Sequence, residues 1–306
     1  MTRHYEAPAR TTGSASSSDW TQSRKASAAA RASTSRGGSG TVMEPDGPVT
    51  VLLPRCVWRV PARRPASTRP HTKEKHVNQT PPRPRLIVFD VNETLSDMSV
   101  LAGRFAELGL SRHLAPTWFA GLLRDGFALT VAGTNPDFAE VASDSLVSLL
   151  RSEGVPDVEE GVEGIMGAFM QLPLHPDVVE GIRLLAESGI RLVTLSNGST
   201  SVAEGLFERN GLLDRFERLL SVTDAPAWKP ASAAYRYAME VCGAEPAESM
   251  LVAVHSWDIH GAHRAGLATA FINRAGVRYP GFFARPDLET TTLVELAHTL
   301  EGRRPA

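Results

Sequence analysis

Leu86-Ile-Val-Phe-Asp90-Val-Asn-Glu-Thr-Leu95 contains the clearest signal of the fold class in this sequence. Its first four residues are apolar and three of them are β-branched or aromatic, which predicts a buried parallel strand. The strand ends at Asp90, where the chain turns into a loop. Ligands of open α/β sheets bind at the carboxyl ends of the strands, so Asp90 is a candidate for chemistry. Taken alone, Asp90 could equally be the N-cap of a following helix.

The net charge of −2 hides two unlike pieces of chain. Residues 1–85 contain 15 Lys and Arg but only 5 Asp and Glu, whereas the whole chain of 306 residues contains 32 and 34. The remainder therefore has 17 basic and 29 acidic residues. This acidic part is long enough to bury a sizeable core.

Residues 1–84 are predicted to be a disordered, basic tail rich in Ser, Ala, Arg and Pro. They contain too little apolar surface to offset the entropy of ordering. A nucleic-acid-binding arm, a transit peptide and an upstream extension of the reading frame are the alternatives. Because aromatic residues are scarce and no folded motif accompanies the charge, a tail without a role in activity is favoured and no nucleic acid partner is expected.

No apolar stretch of about 18 residues is present, so no membrane span or membrane partner is expected. No signal-peptide core is present either. The two cysteines, Cys56 and Cys242, are far apart and cannot form a disulfide framework or a thiolate metal site. This composition predicts a cytoplasmic protein.

Helical periodicity follows the first strand without interruption. Apolar residues such as Trp118 and Phe119 recur at helical spacing and predict the core of a helical unit. Strands that alternate with helices begin only after this unit, and such alternation predicts a parallel sheet. The predicted helices of the unit cover about 97–109, 114–131, 136–154 and 157–170. The later strands lie near 190–195, 219–222, 250–254 and 268–272.

The predicted fold class is therefore α/β: a Rossmann-like parallel sheet core with an all-helical cap inserted after the first strand. The predicted division is a tail at 1–84, a core formed by 85–97 and 172–306, and a cap at 98–171.

Polar residues follow four of the predicted strands, so the sheet should collect them at one edge. Each has an ordinary structural explanation as a turn residue, a loop residue or an N-cap, but their joint placement favours a site. They are Asp90 with Asn92 and Thr94, Ser196 with Asn197, Lys229, and Asp258.

These residues resemble the motifs of the haloacid dehalogenase-like hydrolase superfamily, over about residues 86–300. Within it the chain is most similar to the type II (L-)2-haloacid dehalogenases, which share its Ser-Asn-Gly-Ser sequence, its Trp257–Ala262 segment and the position of its cap. The matching segments are Asp90-Val-Asn-Glu-Thr94-Leu95, Leu195-Ser196-Asn197-Gly198-Ser199, Lys229-Pro230, Trp257-Asp258 and Ile272-Asn-Arg274.

The resemblance implies two displacements. The Asp90 carboxylate would attack the halogen-bearing carbon and form an ester, and water activated by Asp258 would hydrolyse it. Lys229 would keep both aspartates ionised. The substrate carboxylate or the developing oxyanion would bind to other residues of the motifs. The implied substrate-binding residues are Asn92, Thr94, Ser196 and Asn197, with Trp257 and Trp118 shielding the site from water.

No metal and no cofactor are expected. Phosphatases that resemble this fold have a second aspartate two residues after the nucleophile, where this chain has Asn92, which cannot act as a carboxylic acid. Their last motif usually supplies two acidic residues for Mg²⁺, but here Asp258 stands alone after Val254, His255 and Ser256. Mg²⁺ is expected only if the protein is such a phosphatase.

Three departures from the dehalogenase pattern concern the halide site. The dehalogenases have a tyrosine at the place of Asn92 and an asparagine at the place of His255. Their halide-binding arginine would fall at Leu110, with Arg112 nearby and Arg124 further on. The sequence therefore does not identify the residue that binds the halide.

The first functional hypothesis is a hydrolase that converts a short 2-haloalkanoate to the 2-hydroxyalkanoate with inversion at C2. The alternatives are a hydrolase of the same fold acting on another small substrate, such as a phosphate monoester, and a non-catalytic binding protein. The expected partner is a small-molecule substrate. A homodimer is a further expectation, since dimers are common in the resembling family.

Overall fold

The predicted parallel sheet is present and has one strand more than expected. The computed structural model describes residues 83–302, and its six strands are all parallel. The strands are β1 Leu86–Phe89, β2 Arg191–Ser196, β3 Arg218–Ser221, β4 Ser249–Ala253, β5 Ala268–Ile272 and β6 Leu288–Thr290. Their order across the sheet is β3-β2-β1-β4-β5-β6. The edge strand β6 was not predicted, because its three residues do not form an apolar run.

Strand β1 lies in the middle of the sheet, between β2 and β4. Leu86 pairs with Arg191 on one side and with Ser249 on the other. All four residues of β1 are buried, and their side chains alternate between two apolar clusters, one on each face of the sheet. A strand covered on both faces needs a continuous apolar run, which explains the sequence of residues 86–89.

Nine α-helices accompany the sheet in the described residues, and the first four of them form the helical insert that follows β1. These four are α1 Leu101–Glu107, α2 Leu114–Val131, α3 Phe138–Ser152 and α4 Val158–Phe169. The others are α5 Val178–Glu187, α6 Thr200–Arg209, α7 Ser232–Cys242, α8 Ser256–Arg264 and α9 Leu293–Leu300. The predicted helical insert after the first strand and the predicted α/β core are both confirmed.

The helical insert, hereafter the cap, leaves and rejoins the core at adjacent points. The backbone N–H of Asp97 donates to Pro173 O at 2.8 Å, and that of His175 donates to Leu95 O at 3.0 Å. Both ends of the insert are therefore fixed to each other just beyond β1. The predicted domain boundaries at 98 and 171 stay a prediction, because the described residues belong to one compact unit.

A tryptophan from the core packs directly into the cap. Trp228 is fully buried, stacks on Phe138 of α3 with ring centroids 5.6 Å apart, and donates its indole N–H to Pro136 O at 2.9 Å. Gly126 of α2 lies against the same indole, where an added Cβ would come within 2.1 Å of a ring carbon. Helix α2 can approach the core this closely only because residue 126 has no side chain.

Residues 1–82 lie outside the described residues, so the predictions for the tail remain predictions. Within residues 83–302, no helix combines the length and the apolar character needed to cross a membrane.

Candidate active site

Asp90 lies where ligands bind in sheets of this order. The chain passes from β1 to strands on one side and later returns to strands on the other, so the carboxyl end of β1 is at the switch point. The Asp90 N–H donates to Val252 O at 3.1 Å, which extends the pairing with β4 by one residue. The carboxylate follows at once and is almost completely buried. Asp90 is therefore held by the sheet itself and does not cap a helix.

The ammonium of Lys229 bridges two buried carboxylates. Its Nζ lies 2.9 Å from Asp90 Oδ1 and 2.6 Å from Asp258 Oδ2. Lys229 is fully buried, and an isolated ammonium there would cost several kcal/mol of desolvation, which the two carboxylates offset. Asn197 fixes the backbone of Lys229, since its Oδ1 accepts from the Lys229 N–H at 3.0 Å and its Nδ2 donates to Lys229 O at 3.2 Å.

Tyr235 completes the bonding of Asp258. Its hydroxyl donates to Asp258 Oδ1 at 2.5 Å, so both carboxylate oxygens of Asp258 accept from buried donors. Tyr235 was not predicted from the sequence. It lies six residues after Lys229 in α7, and two tyrosines, Tyr235 and Tyr237, occur in that helix. Only the packed structure shows that Tyr235 is the buried one.

The environment moves the pKa values of the two aspartates in opposite directions. Burial raises the pKa of the Asp90 carboxyl, but Lys229, His255 and the Thr94 hydroxyl outweigh burial and bring that pKa below its ordinary value. For Asp258, burial and the charge of Asp90 outweigh Lys229 and Tyr235, and its pKa is raised. The prediction that Lys229 favours the ionised aspartates thus describes the net shift of Asp90 only.

The same contacts act on the two donors. Burial lowers the pKa of Lys229, but the charges of Asp258 and Asp90 outweigh it, so the pKa of the ammonium is raised. Burial and the charge of Asp258 raise the pKa of the Tyr235 hydroxyl well above its ordinary value. Both groups therefore keep their protons at neutral pH and act as hydrogen-bond donors.

His255 lies beside the nucleophile candidate. Its Nε2 is 3.6 Å from Asp90 Oδ2, 3.6 Å from Glu93 Oε2 and 3.2 Å from Asn92 O. The ring stacks on Trp257 with centroids 4.9 Å apart, and Trp257 in turn contacts Phe127 of the cap at 5.0 Å. His255 and Trp257 thus form a layer between the end of β1 and the cap.

Ser196 has a hydroxyl proton available for a ligand. Its Oγ accepts from the Gly198 N–H at 2.9 Å, and no acceptor for its own proton lies among residues 83–302. Asn92 is buried, with its amide beside Gly198. These two side chains and Trp257 are the predicted substrate-binding residues that the structure leaves available.

Three other predicted substrate-binding residues have different contacts. The Thr94 hydroxyl donates its one proton to Asp90 Oδ2 at 2.6 Å and accepts from the Val254 N–H, so it positions the Asp90 carboxylate. The side-chain amide of Asn197 is likewise occupied, because it bonds to the backbone of Lys229. Trp118 lies in the core of the cap, where its indole N–H donates to Ser145 Oγ at 2.9 Å and its ring contacts Phe105 and Phe169.

A cleft of about 600 Å³ opens between the start of the cap and the carboxyl ends of the strands. His255 and Glu93 line it on the side of Asp90, and Phe119 lines it on the side of the cap. Its lining residues are Glu93, Asp97, Met98, Ser99, Leu101, Ala102, Arg112, His113, Ala115, Pro116, Phe119, His175, Val254, His255, Phe271, Ile272, Asn273, Arg274, Ala275 and Val277.

Of the two arginines that the sequence left as candidates for anion binding, only one lines the cleft. Arg112 lines the cleft and has no hydrogen-bond or ion-pair partner in residues 83–302. Arg124 lies outside the cleft, on the exposed side of α2, and pairs with Asp125 at 2.8 Å. Leu110, at the position expected for the arginine, packs against the apolar core of the cap. Arg274 also lines the cleft, but its guanidinium binds Asp177 and Thr94 O.

Known proteins resemble this chain in the region that contains the site. The family model described as haloacid dehalogenase-like hydrolase matches residues 84–266. An (S)-2-haloacid dehalogenase from Pseudomonas sp. (strain YL) is 29% identical over 222 residues, which cover 71% of this chain and 96% of that protein. The haloacetate dehalogenase H-2 from Moraxella sp. (strain B) is 26% identical and covers 70% and 96% in the same terms.

The solved structures agree with the relatives. A crystal structure of a dehalogenase with an intermediate complex superposes with a TM-score of 0.67 at 28% identity, covering 70% of this chain and 96% of that one. The similarity therefore includes both the sheet and the cap.

Proposed function

Because the chain belongs to the haloacid dehalogenase-like hydrolase family, we propose that it is a 2-haloacid dehalogenase. The proposed reaction converts a 2-haloalkanoate and water into the 2-hydroxyalkanoate and a halide ion, with inversion at C2. The named relatives are an (S)-2-haloacid dehalogenase and a haloacetate dehalogenase, and their matches cover 71% and 70% of this chain. The phosphate monoester alternative has no comparable support.

The observation on which the proposal rests is the bridge from Asp90 through Lys229 to Asp258. A carboxylate whose pKa is lowered stays ionised and is available as a nucleophile. The carboxylate on the other side of the ammonium has a raised pKa, which suits a group that must accept a proton from water. One buried cation thus supports two carboxylates with different tasks.

In the first step an oxygen of Asp90 attacks C2 of the substrate. The new C–O bond forms as the carbon–halogen bond breaks, and the halide leaves with the electron pair. The product of this step is an ester between Asp90 and the substrate. The hydroxyl of Ser196 is the proposed donor to the substrate carboxylate, because its proton has no acceptor in the described chain.

In the second step water attacks the carbonyl carbon of the Asp90 ester and gives a proton to Asp258. The bond between that carbon and the ester oxygen then breaks, and the leaving oxygen takes the remaining proton of the added water. This restores the Asp90 carboxylate and releases the 2-hydroxy acid, and Asp258 gives its proton to solvent. Lys229 and Thr94, which contact the two Asp90 oxygens, are placed to stabilise the oxyanion that develops between these events.

The residues present do not fit a Mg²⁺ ion, so we propose that the reaction needs none. The ammonium of Lys229 contacts both Asp90 and Asp258 and occupies the place between them. The neighbouring side chain is the amide of Asn92 instead of a second carboxylate. Across residues 83–302, no group of three or more His, Cys, Asp and Glu side chains is arranged to hold a metal ion.

Arg112 is the proposed anion-binding residue of the cleft. It is the arginine of the cleft that no other described side chain neutralises, whereas Arg274 is paired with Asp177. Its exposed position suits a residue that attracts the substrate carboxylate from solution. The resemblance predicts a halide-binding arginine at position 110, but this chain has Leu110 there.

Halide release from 2-chloropropionate, measured with and without EDTA, tests the proposed function. We expect equal release in both conditions. Strict dependence on added Mg²⁺, with turnover of a phosphate monoester, would instead support the phosphatase. Binding of 2-chloropropionate without turnover would point to a non-catalytic binding protein.

A further inference from the structure

The cleft beside Asp90 is mainly apolar on two opposite sides. On the cap side it is lined by Leu101, Ala102 and Phe119, and on the core side by Phe271, Ile272 and Val277, with other apolar side chains between them. Polar side chains line the rest of the cleft: Glu93 and His255 beside Asp90, and Asp97, Ser99, Arg112, His113, His175, Asn273 and Arg274 elsewhere. Such a mixed lining suits a ligand that has both an apolar body and polar groups.

The cleft reaches the reacting group through His255. The imidazole lines the cleft, and its Nε2 is 3.6 Å from Asp90 Oδ2. Val254 also lines the cleft, and its backbone N–H donates to the Thr94 hydroxyl that binds the same oxygen. Asp90 does not itself line the cleft, so a chain attached to a carbon at Asp90 Oδ2 would enter the cleft past His255.

The size of the cleft does not match a three-carbon acid. Its volume of about 600 Å³ lies within the roughly 300–1,000 Å³ range of pockets that bury drug-sized ligands. A 2-halopropionate offers a single methyl group to apolar walls contributed by both the cap and β5. A three-carbon acid would leave most of the cleft volume to water.

We propose that the preferred substrates are 2-halo acids with an apolar chain, of about six to eight carbons in total, whose alkyl tail fills this cleft. This inference rests on the proposed dehalogenase function and adds the substrate class. Each methylene moved from water onto the apolar walls should raise kcat/KM about threefold to fourfold until the cleft is filled. Shorter acids are then poor substrates of the same site.

The test compares kcat/KM for the 2-bromo acids from propionate to octanoate, with halide release as the readout. Two variants change the cleft from opposite sides: Ala102→Leu reduces its volume, and Val277→Asp places a charge on its apolar wall. Matched controls carry the same changes outside the cleft, Ala120→Leu and Val131→Asp, both at exposed positions of α2. Val277 is itself more than half exposed, so its substitution should not prevent folding.

We expect kcat/KM to rise with chain length in the unmodified protein. The ratio of octanoate to propionate values should fall about tenfold in Ala102→Leu and Val277→Asp and stay unchanged in the two controls. Halide release from 2-bromopropionate with no gain for longer acids would overturn the inference and leave the dehalogenase function intact. A rise with chain length that neither cleft variant reduces would also overturn it. No halide release from any acid would refute the dehalogenase function, and the inference with it.

Discussion

At the scale of single residues, Lys229 links the two aspartates of the candidate site. Its ammonium lies within 2.9 Å of Asp90 and 2.6 Å of Asp258, and all three groups are buried. Removing the ammonium would leave two carboxylates facing each other in a low dielectric, where they could not both stay ionised. Asp90 and Asp258 should therefore titrate as one coupled unit. A substitution of either aspartate should affect both ester formation and ester hydrolysis, to different extents.

The role of Asp90 as nucleophile can be tested with labelled water. If water attacks the Asp90 ester, a single turnover in H₂¹⁸O places the label in the Asp90 carboxylate and leaves the product hydroxyl unlabelled. If Asp90 only activates water, the label appears in the product. Mass spectrometry of the peptide that contains Asp90 and of the product distinguishes the two.

Asp258→Asn should separate the two steps. The amide cannot accept a proton from water, so ester hydrolysis should slow by more than about a hundredfold, a typical contribution of a general base. Ester formation should slow less, and an adduct should accumulate on Asp90. Absence of the adduct, together with label only in the product, would remove Asp90 from the nucleophile role.

The acid limit of activity should depend on Thr94. The Thr94 hydroxyl is one cause of the lowered pKa of Asp90, because its bond favours the charged form. Activity requires the carboxylate and is lost as the pH falls through this pKa. Thr94→Val should therefore raise the pKa and move the acid limb of kcat/KM to higher pH.

Thr94→Ser is the matched control, since it keeps the hydroxyl and should keep the acid limb in place. The same substrate is used for the unmodified protein and both variants, so the ionisation of the substrate cannot cause a difference between their acid limbs. Thr94→Val should also cost about 1–3 kcal/mol of stability, since the Val254 N–H loses its acceptor. Identical acid limbs in all three proteins would show that the hydroxyl does not tune Asp90.

Arg112 and Arg124 offer a paired test of anion binding. Arg112→Gln should raise KM by roughly twofold to fivefold, the range of an exposed charge interaction, and leave kcat nearly unchanged. The increase should shrink in high salt. Arg124→Gln, outside the cleft, should change neither constant. A fall in kcat at constant KM in Arg112→Gln would indicate a role in halide departure instead.

At the scale of elements, α2 attaches the cap to the core. Its Gly126 faces the buried indole of Trp228, whereas Gly121, more than a turn earlier in the same helix, has no atom within 4 Å of an added Cβ. The same substitution should therefore have opposite effects at the two positions.

Gly126→Ala should destabilise the protein by about 2 kcal/mol or more, because the indole cannot move away within a packed core. Gly121→Ala should stabilise it by up to about 1 kcal/mol, because alanine is the better helix former. Urea unfolding followed by tryptophan fluorescence measures both. Equal effects at the two positions would show that α2 is not held against Trp228.

At the scale of the whole molecule, the prediction concerns the basic segment before the sheet. Deleting residues 1–80 should leave the thermal midpoint and the turnover unchanged, because composition indicates that they bury no core and β1 begins only at Leu86. The full-length chain is the control. A loss of several degrees in the midpoint, or of turnover, would show that the segment supports the enzyme. A cytoplasmic location, a homodimer and the absence of nucleic acid partners remain predictions of the sequence.

The class of fold and the joint placement of Asp90, Lys229 and Asp258 could be predicted without the structure. A run of apolar residues that ends in Asp90 predicts a strand covered on both faces, and parallel strands place their carboxyl ends at one edge. Lys229 and Asp258 follow elements of the same sheet, so the sequence order already predicted that they meet Asp90. The helical period after β1 likewise predicted the cap.

The hydrogen-bond partner of each side chain is known only from the packed structure. Thr94 and Asn197 each lie in a motif, but the motif does not show that their polar atoms are used on Asp90 and on the backbone of Lys229. Tyr235 could not be predicted, because its hydrogen-bond partner, Asp258, lies 23 residues away in the sequence. Trp118 lies in the core of the cap, as its helical spacing predicts, and not at the cleft, where the resemblance implied that it shields the substrate. Hydrogen-bond partners depend on packing across the chain, and local sequence does not encode those distances.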